Sequence, residues 1–222
     1  NVSSMAHRQG TMDFDNLNAE RGYSKWPAYG QSKLANILFT YELQRRFEAR
    51  GLKAVVAPEL EFMLLATGRD ADGAPIIPGS RINGPNPVGG QLYSTDLMHE
   101  YADVLHEMRE CCDALDLGVE TLVKELAPAQ YEINQTHLDD PLRAADNAQM
   151  MKRVIKDVAA KHGYVATFMP KPFTHIDGNG FHAHISVIDE SGRNIFDDGG
   201  EDGTGDAGGI VRCAVHTEVG DL

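Results

Sequence analysis

Apolar and polar positions change their spacing several times along this chain, and each change marks an element. Pro27 opens a stretch that runs to about Arg50 and stops at Gly51, the usual placement of Pro inside and Gly beyond a helix. Lys53-Ala-Val-Val56 then starts a strand that continues through Pro58-Glu-Leu-Glu-Phe-Met-Leu-Leu65. Residues 67–95 are rich in Gly, Pro, Asn and Asp and read as a long loop. Met98, Tyr101, Ala102, Leu105, Met108, Cys112 and Leu115 recur at helical spacing, which predicts one amphipathic helix over 97–117. Residues 119–134 suit two strands around the turn Ala127-Pro128-Ala129. Asp140-Pro141 caps a further helix, with Val154, Ile155 and Val158 on its apolar face and Gly163 at its end. Short strands follow at 164–169 and 181–188. Asn1–Ser4 reads as the end of a buried strand and 5–26 as polar, irregular chain; the Gly- and Asp-rich run 197–209 reads as flexible.

Composition narrows the class. The chain has 222 residues, 42% hydrophobic and 24% charged, ordinary for a globular protein. Its net charge of −13 argues against a nucleic-acid partner, which calls for a basic footprint. That charge is uneven: residues 1–56 carry a formal +3 and the remainder −16, a shift that fits two sources joined near residue 56. Three cysteines, two adjacent at Cys111 and Cys112, provide neither a disulfide framework nor paired metal-ligand spacing. With no apolar run of ~20 residues, no membrane span is expected, and a reduced cytoplasmic protein is the simplest reading.

Two groups of residues carry chemistry. Tyr29 and Lys33 stand four apart, hence on one helix face, where an ammonium beside a phenol favours the phenolate and suits general acid–base work. Ser4 offers a hydroxyl to a substrate oxygen. In the second group, Glu59 and Glu61 alternate to one face of a strand while Leu60 and Phe62 face a core. Glu125 and Glu132 flank the 127–129 turn and can converge from neighbouring strands, and His182 and His184 again share one strand face. Carboxylates with an imidazole suit hard divalent cations, Mg²⁺ or Mn²⁺, better than structural zinc.

The stretch NVSSMAHRQG…DFDNLN…AYGQSKLANILFTYELQRR resembles the short-chain dehydrogenase/reductase family, in particular its retinol-dehydrogenase-like branch. The resemblance covers about 1–56 and implies that Ser4, Tyr29 and Lys33 correspond to the catalytic Ser, Tyr and Lys, with Lys33 also touching the cofactor ribose. The family's glycine-rich dinucleotide turn and catalytic Asn have no counterpart in this sequence, so NAD(P) is not expected to bind.

The segments VVAPELEFMLL, KELAPAQYEIN, AADNAQMMKRVIKDVAAKHGYVATFMPKPF and GNGFHAHISV resemble the glutamine synthetase catalytic domain, in a variant bacterial branch. By that resemblance Glu61, Glu125 and Glu132 correspond to ligands of a first metal, and Glu59 and His182 to ligands of a second that bridges nucleotide phosphates. Lys171, Gly178, Gly180 and His184 fall in the family's ATP region, Gly178 on the loop that also meets glutamate. The implied reaction is phosphoryl transfer from ATP to a γ-carboxylate, then attack by ammonia or an amine, with Mg²⁺ or Mn²⁺ as cofactor. One departure stands out: Asp177 occupies a loop position where the family has Asn or another small uncharged residue, and a carboxylate there repels an anionic substrate.

The expected fold is α+β: a partial glutamine-synthetase-like catalytic domain, with a curved antiparallel sheet and packed helices, preceded by a strand–loop–helix fragment of a Rossmann-type fold. The expected division is 1–56 (boundary between 44 and 57, since Gln44–Val56 reads acceptably in either family), 57–198, and an unassigned tail 199–222. The family's N-terminal domain, which completes a neighbour's site in its homo-oligomers, and its phosphate-gripping arginines have no counterpart here. The sequence therefore reads as an incomplete, inactive ligase, with an NAD(P)-dependent short-chain oxidoreductase fragment or a non-catalytic hybrid polypeptide as the alternatives.

Overall fold

A computed structural model describes residues 4–85, 87, 91–197 and, as backbone alone, 211–214. The chain forms two compact units, one of Asn1–Lys53 with Asp189–Gly192 and one built on Ala54–Ile188.

In the first unit a short 3₁₀ helix, Met5–Gln9, precedes the 24-residue helix α1, Lys25–Glu48. The expected strand end at Asn1–Ser4 falls largely outside the described residues, and Ser4 itself caps the 3₁₀ helix, its Oγ accepting from Ala6 N at 3.3 Å. Chain expected to be irregular is thus helical at Met5–Gln9, because Ser4 satisfies one of the free N–H groups of the first turn. Helix α1 starts two residues before Pro27. Proline is tolerated there because first-turn N–H groups have no intrahelical acceptor. Only Gly30 of α1 is buried, while Trp26, Phe39 and Tyr41 are exposed.

The second unit is a sheet covered by helices. Its elements are β1 (Lys53–Ala66), α2 (Thr95–Glu100), α3 (Ala102–Ala114), β2 (Val119–Lys124), β3 (Gln130–Gln135), α4 (Pro141–Lys161), β4 (Tyr164–Thr167), β5 (Phe181–Ile188) and β6 (Val211–Ala214). Among the described residues the strand order is β2-β3-β1-β5-β6, with β4 also on β1. The β1–β3, β1–β4, β2–β3 and β5–β6 pairs are antiparallel. No described helix is long and apolar enough to cross a membrane.

The period-two alternation of β1 sets the whole unit. Leu60, Phe62 and Leu64 point into the core, meeting Leu105, Met108 and Cys112 of α3 and Met151, Ile155 and Val158 of α4. Tyr131 and Ile133 of β3 join them. The odd-numbered residues face the other way: Glu59 and Glu61 first, then Met63 and Leu65, which pack with Ala127 and Ile176 in a smaller cluster. A polar site and an apolar anchor therefore share one strand face.

Two further expectations change. The single helix over 97–117 is two helices, broken at Tyr101 (φ −112°, ψ 21°). Its ring is buried against Tyr131 and Tyr164, with centroids 5.8 and 5.6 Å away, and that packing is gained where the backbone leaves helical geometry. In the segment expected to be a tail, 211–214 instead pair with β5, His182 opposite Ala214 and Ile185 opposite Val211; 198–210 and 215–222 lie outside the described residues.

Candidate metal centre

The acidic face of the sheet gathers side chains from four strands or their ends. Glu61 lies directly opposite Glu132 across β1 and β3, and Glu59 opposite Asn134. Directly opposed residues share a face, so register alone brings three carboxylates together. Glu125 follows the last residue of β2, and its N–H donates to Gln130 O at 2.9 Å, keeping it on the same edge as Glu132. From β5, His182 reaches in: its Nδ1 is 3.3 Å from Glu59 Oε2, 3.8 Å from Glu61 Oε1 and 3.9 Å from Glu132 Oε2. His184 Nε2 is 2.8 Å from Glu59 Oε1, at ion-pair distance but without hydrogen-bond geometry.

One oxygen or nitrogen from each of Glu59, Glu132 and His182 lies within 4.8 Å of the others, a group of three that could hold a metal ion. This trio draws from both ligand sets expected for the two metals. Glu59, Glu61, Glu125, Glu132 and His184 also line a pocket of about 370 Å³ with Leu92, Tyr93, Val123 and Asn134.

The cluster is electrostatically unbalanced as it stands. Burial, and then the neighbouring carboxylates of Glu59 and Glu125, push the Glu132 carboxyl up to about 7. Burial raises the Glu125 carboxyl too, with the charge of Glu61 adding to it. Buried carboxylates that repel one another are stabilised by a cation between them, and oxygen-rich donors with one or two imidazoles fit Mg²⁺ or Mn²⁺. The residues present thus fit a divalent-cation site.

The strand entering β5 is shaped by close approaches. A Cβ on Gly180 would stand 2.8 Å from Glu61 Oε1 and 2.9 Å from His182 Cε1, so a side chain there would have to displace both ligand side chains. A Cβ on Gly178 would meet Pro170 O at 2.1 Å. Lys171 donates from Nζ to Ile176 O at 2.5 Å and so closes the 171–176 loop on itself. Asp177 is exposed beside Gly178.

The sequence context of Lys124 carries no sign of its burial. The residue is 1% exposed, on the core face opposite Tyr131, and donates to the carbonyls of Glu125 and Ala127. Burial lowers its ammonium to about 8. Gln130 and Asn134 alternate with Glu132 along β3 and so share its face, the only local signal that they belong to the site. Ser4, Tyr29 and Lys33 belong to the other unit. There Lys33 Nζ sits 5.2 Å from the centre of the Tyr29 ring, one helical turn away.

Comparison with known proteins places this geometry. The family model of the glutamine synthetase catalytic domain matches residues 41–213. The chain is 40% identical over 164 residues to gamma-glutamylputrescine synthetase PuuA of Escherichia coli (strain K12), covering 72% of this chain and 34% of that protein. It is 37% identical over 151 residues to a glutamate–isopropylamine ligase of Pseudomonas sp, covering 67% and 32%. A solved GmaS/ADP complex superposes with a TM-score of 0.61 at 31% identity, over 74% of this chain and 36% of that one. The chain spans about a third of the length of these relatives. Because the match runs through β1, β3 and β5, the strands that carry the carboxylates and histidines, the chain belongs to the glutamine synthetase catalytic-domain family.

Proposed function

We propose that residues 57–198 form the cation-binding part of an ATP-dependent carboxylate–amine ligase. In such a ligase ATP phosphorylates a γ-carboxylate, of glutamate or a related acid, and ammonia or a small amine displaces the phosphate. The observation that carries this reading is the convergence of Glu59, Glu132 and His182 within 4.8 Å, on the strands that the family model covers. Two relatives are named for putrescine and isopropylamine products or substrates, which supports an amine as the second substrate.

Divalent cations, when bound, neutralise charge on the phosphates during transfer. The chain's own residues supply the frame. Glu61, Glu125 and Glu132 are assigned to one cation and Glu59 and His182 to the other. His184 stands at ion-pair distance from Glu59, 2.8 Å, and the Gly178–Gly180 segment brings backbone close to the carboxylates. Lys171 shapes the loop on the nucleotide side. By themselves these residues are expected to bind Mn²⁺ without turnover, because they constitute the cation portion of the site.

Calorimetric titration with Mn²⁺ tests the assignment. The wild-type chain is expected to bind with measurable heat, and Glu61→Ala to weaken binding at least tenfold. Equal heats from both proteins would remove Glu61 from the site. For residues 1–56, we read a dehydrogenase-like helix bearing Tyr29 and Lys33 and no dinucleotide site. Nicotinamide fluorescence is expected to stay unchanged on mixing with the chain at millimolar cofactor; an enhancement would overturn that reading.

A further inference from the structure

Gln130 is 1% exposed, on the strand face that carries Glu132, and its side chain is fully engaged. Its Nε2 donates to Glu61 Oε2 at 2.9 Å, to Gly178 O at 2.8 Å and to Asn179 Oδ1 at 3.3 Å. Its Oε1 accepts from Ala127 N at 2.9 Å. One amide therefore joins three segments that are far apart in sequence: Glu61 on β1, the turn that follows Glu125, and the loop leading into β5.

The consequence for Glu61 is specific. Its Oε2 accepts from both Gln130 Nε2 and Gly180 N, each at 2.9 Å. With that oxygen engaged, Oε1 is the one turned toward His182, 3.8 Å from Nδ1. A carboxylate free to rotate would present either oxygen and would lose orientational entropy on binding a cation. One clamped by two donors has already lost it. Asn179, also buried, extends the network by donating from Nδ2 to Thr167 O at 3.2 Å and Met169 O at 2.9 Å, so the loop to which Gln130 is tied is itself anchored.

We infer that Gln130 is a positioning residue for the cation site: its amide selects the Glu61 oxygen that faces the cation and holds the Glu125 turn and the Gly178–Gly180 loop in register with it. The inference rests on the proposed cation-binding role of this face. It makes Gln130 the link that ties Glu61 to two backbone segments, the turn after Glu125 and the Gly178–Gly180 loop.

Gln130→Met preserves volume and removes all four hydrogen bonds. Mn²⁺ binding by calorimetry is expected to weaken about tenfold to a hundredfold, the range typical for loss of a group that orients a metal ligand. Ile133→Val, in the core face of the same strand, provides the control. It is expected to lower the thermal midpoint while leaving Mn²⁺ affinity within about twofold. Affinity of Gln130→Met within threefold of wild type would overturn the inference, since a purely structural glutamine would behave like the Ile133 control. Should Gln130→Met fail to fold, hydrogen exchange on the wild-type chain decides. Mn²⁺ is expected to slow exchange in the peptide containing the Ala127 amide, whose acceptor is Gln130 Oε1, and unchanged exchange there would overturn it. Failure of the wild type itself to bind Mn²⁺ would reject the cation reading together with this inference, an outcome distinct from equal binding by both proteins.

Discussion

Glu132 shows how a single residue registers the state of the whole site. Its carboxyl, held at about 7 by burial and by Glu59 and Glu125, lies above the ordinary carboxylate value of 4.5. An acid whose pKa is raised by folding binds its proton more tightly in the folded chain. Its contribution to stability is complete below about 4.5 and is lost as pH rises to about 7. Without cation, the second unit is therefore expected to lose stability across that window. Cation binding must displace the same proton, so Mn²⁺ affinity should rise by up to tenfold per pH unit below about 7 and level off above it. Titrations at pH 6.0 and 7.5 check the slope, and Glu132→Gln should flatten it while weakening binding. A pH-independent affinity in the wild-type chain would take Glu132 out of the ligand set.

At the scale of elements, capping and alternation account for most of what forms. Asp140 begins α4, its Oδ1 accepting from Leu142 N at 3.1 Å and Arg143 N at 3.0 Å, with Pro141 as the first helical residue. Removing such a cap costs about 1 kcal/mol. Asp140→Ala is expected to lower unfolding stability by about that amount in urea, with Mn²⁺ affinity unchanged because α4 supplies no ligand. The elements were legible where their signal was local. The 140–163 helix, the paired strands around 127–129 and the long strand from Lys53 all stand where their periodicity and caps put them. The 97–117 segment did not, because the break at Tyr101 depends on Tyr131 and Tyr164, rings that sequence spacing cannot bring to mind. The pairing of 211–214 with β5 is equally non-local: nothing within that Gly- and Asp-flanked segment names its partner strand.

Across the whole molecule, the sequence by itself determined which face each candidate ligand occupies. A strand places residues i and i+2 on one side, so the covalent order alone puts Glu59 with Glu61 and His182 with His184 on shared faces. It also carried the family likeness, since the ligand-bearing segments are long and distinctive. Tertiary structure alone decided which of these faces meet. The register that sets Glu61 opposite Glu132, the placement of β5 that brings His182 between Glu59 and Glu132, and the reach of Gln130 across 69 residues to Glu61 are properties of strand neighbours. Burial of Lys124 beside Tyr131 belongs with them, since a lysine next to a surface-like glutamate gives no local sign of being enclosed. Alternation is written in the covalent order of the chain, whereas neighbours across a sheet are chosen by the shared core that Phe62, Tyr131, Met151 and Ile155 fill together.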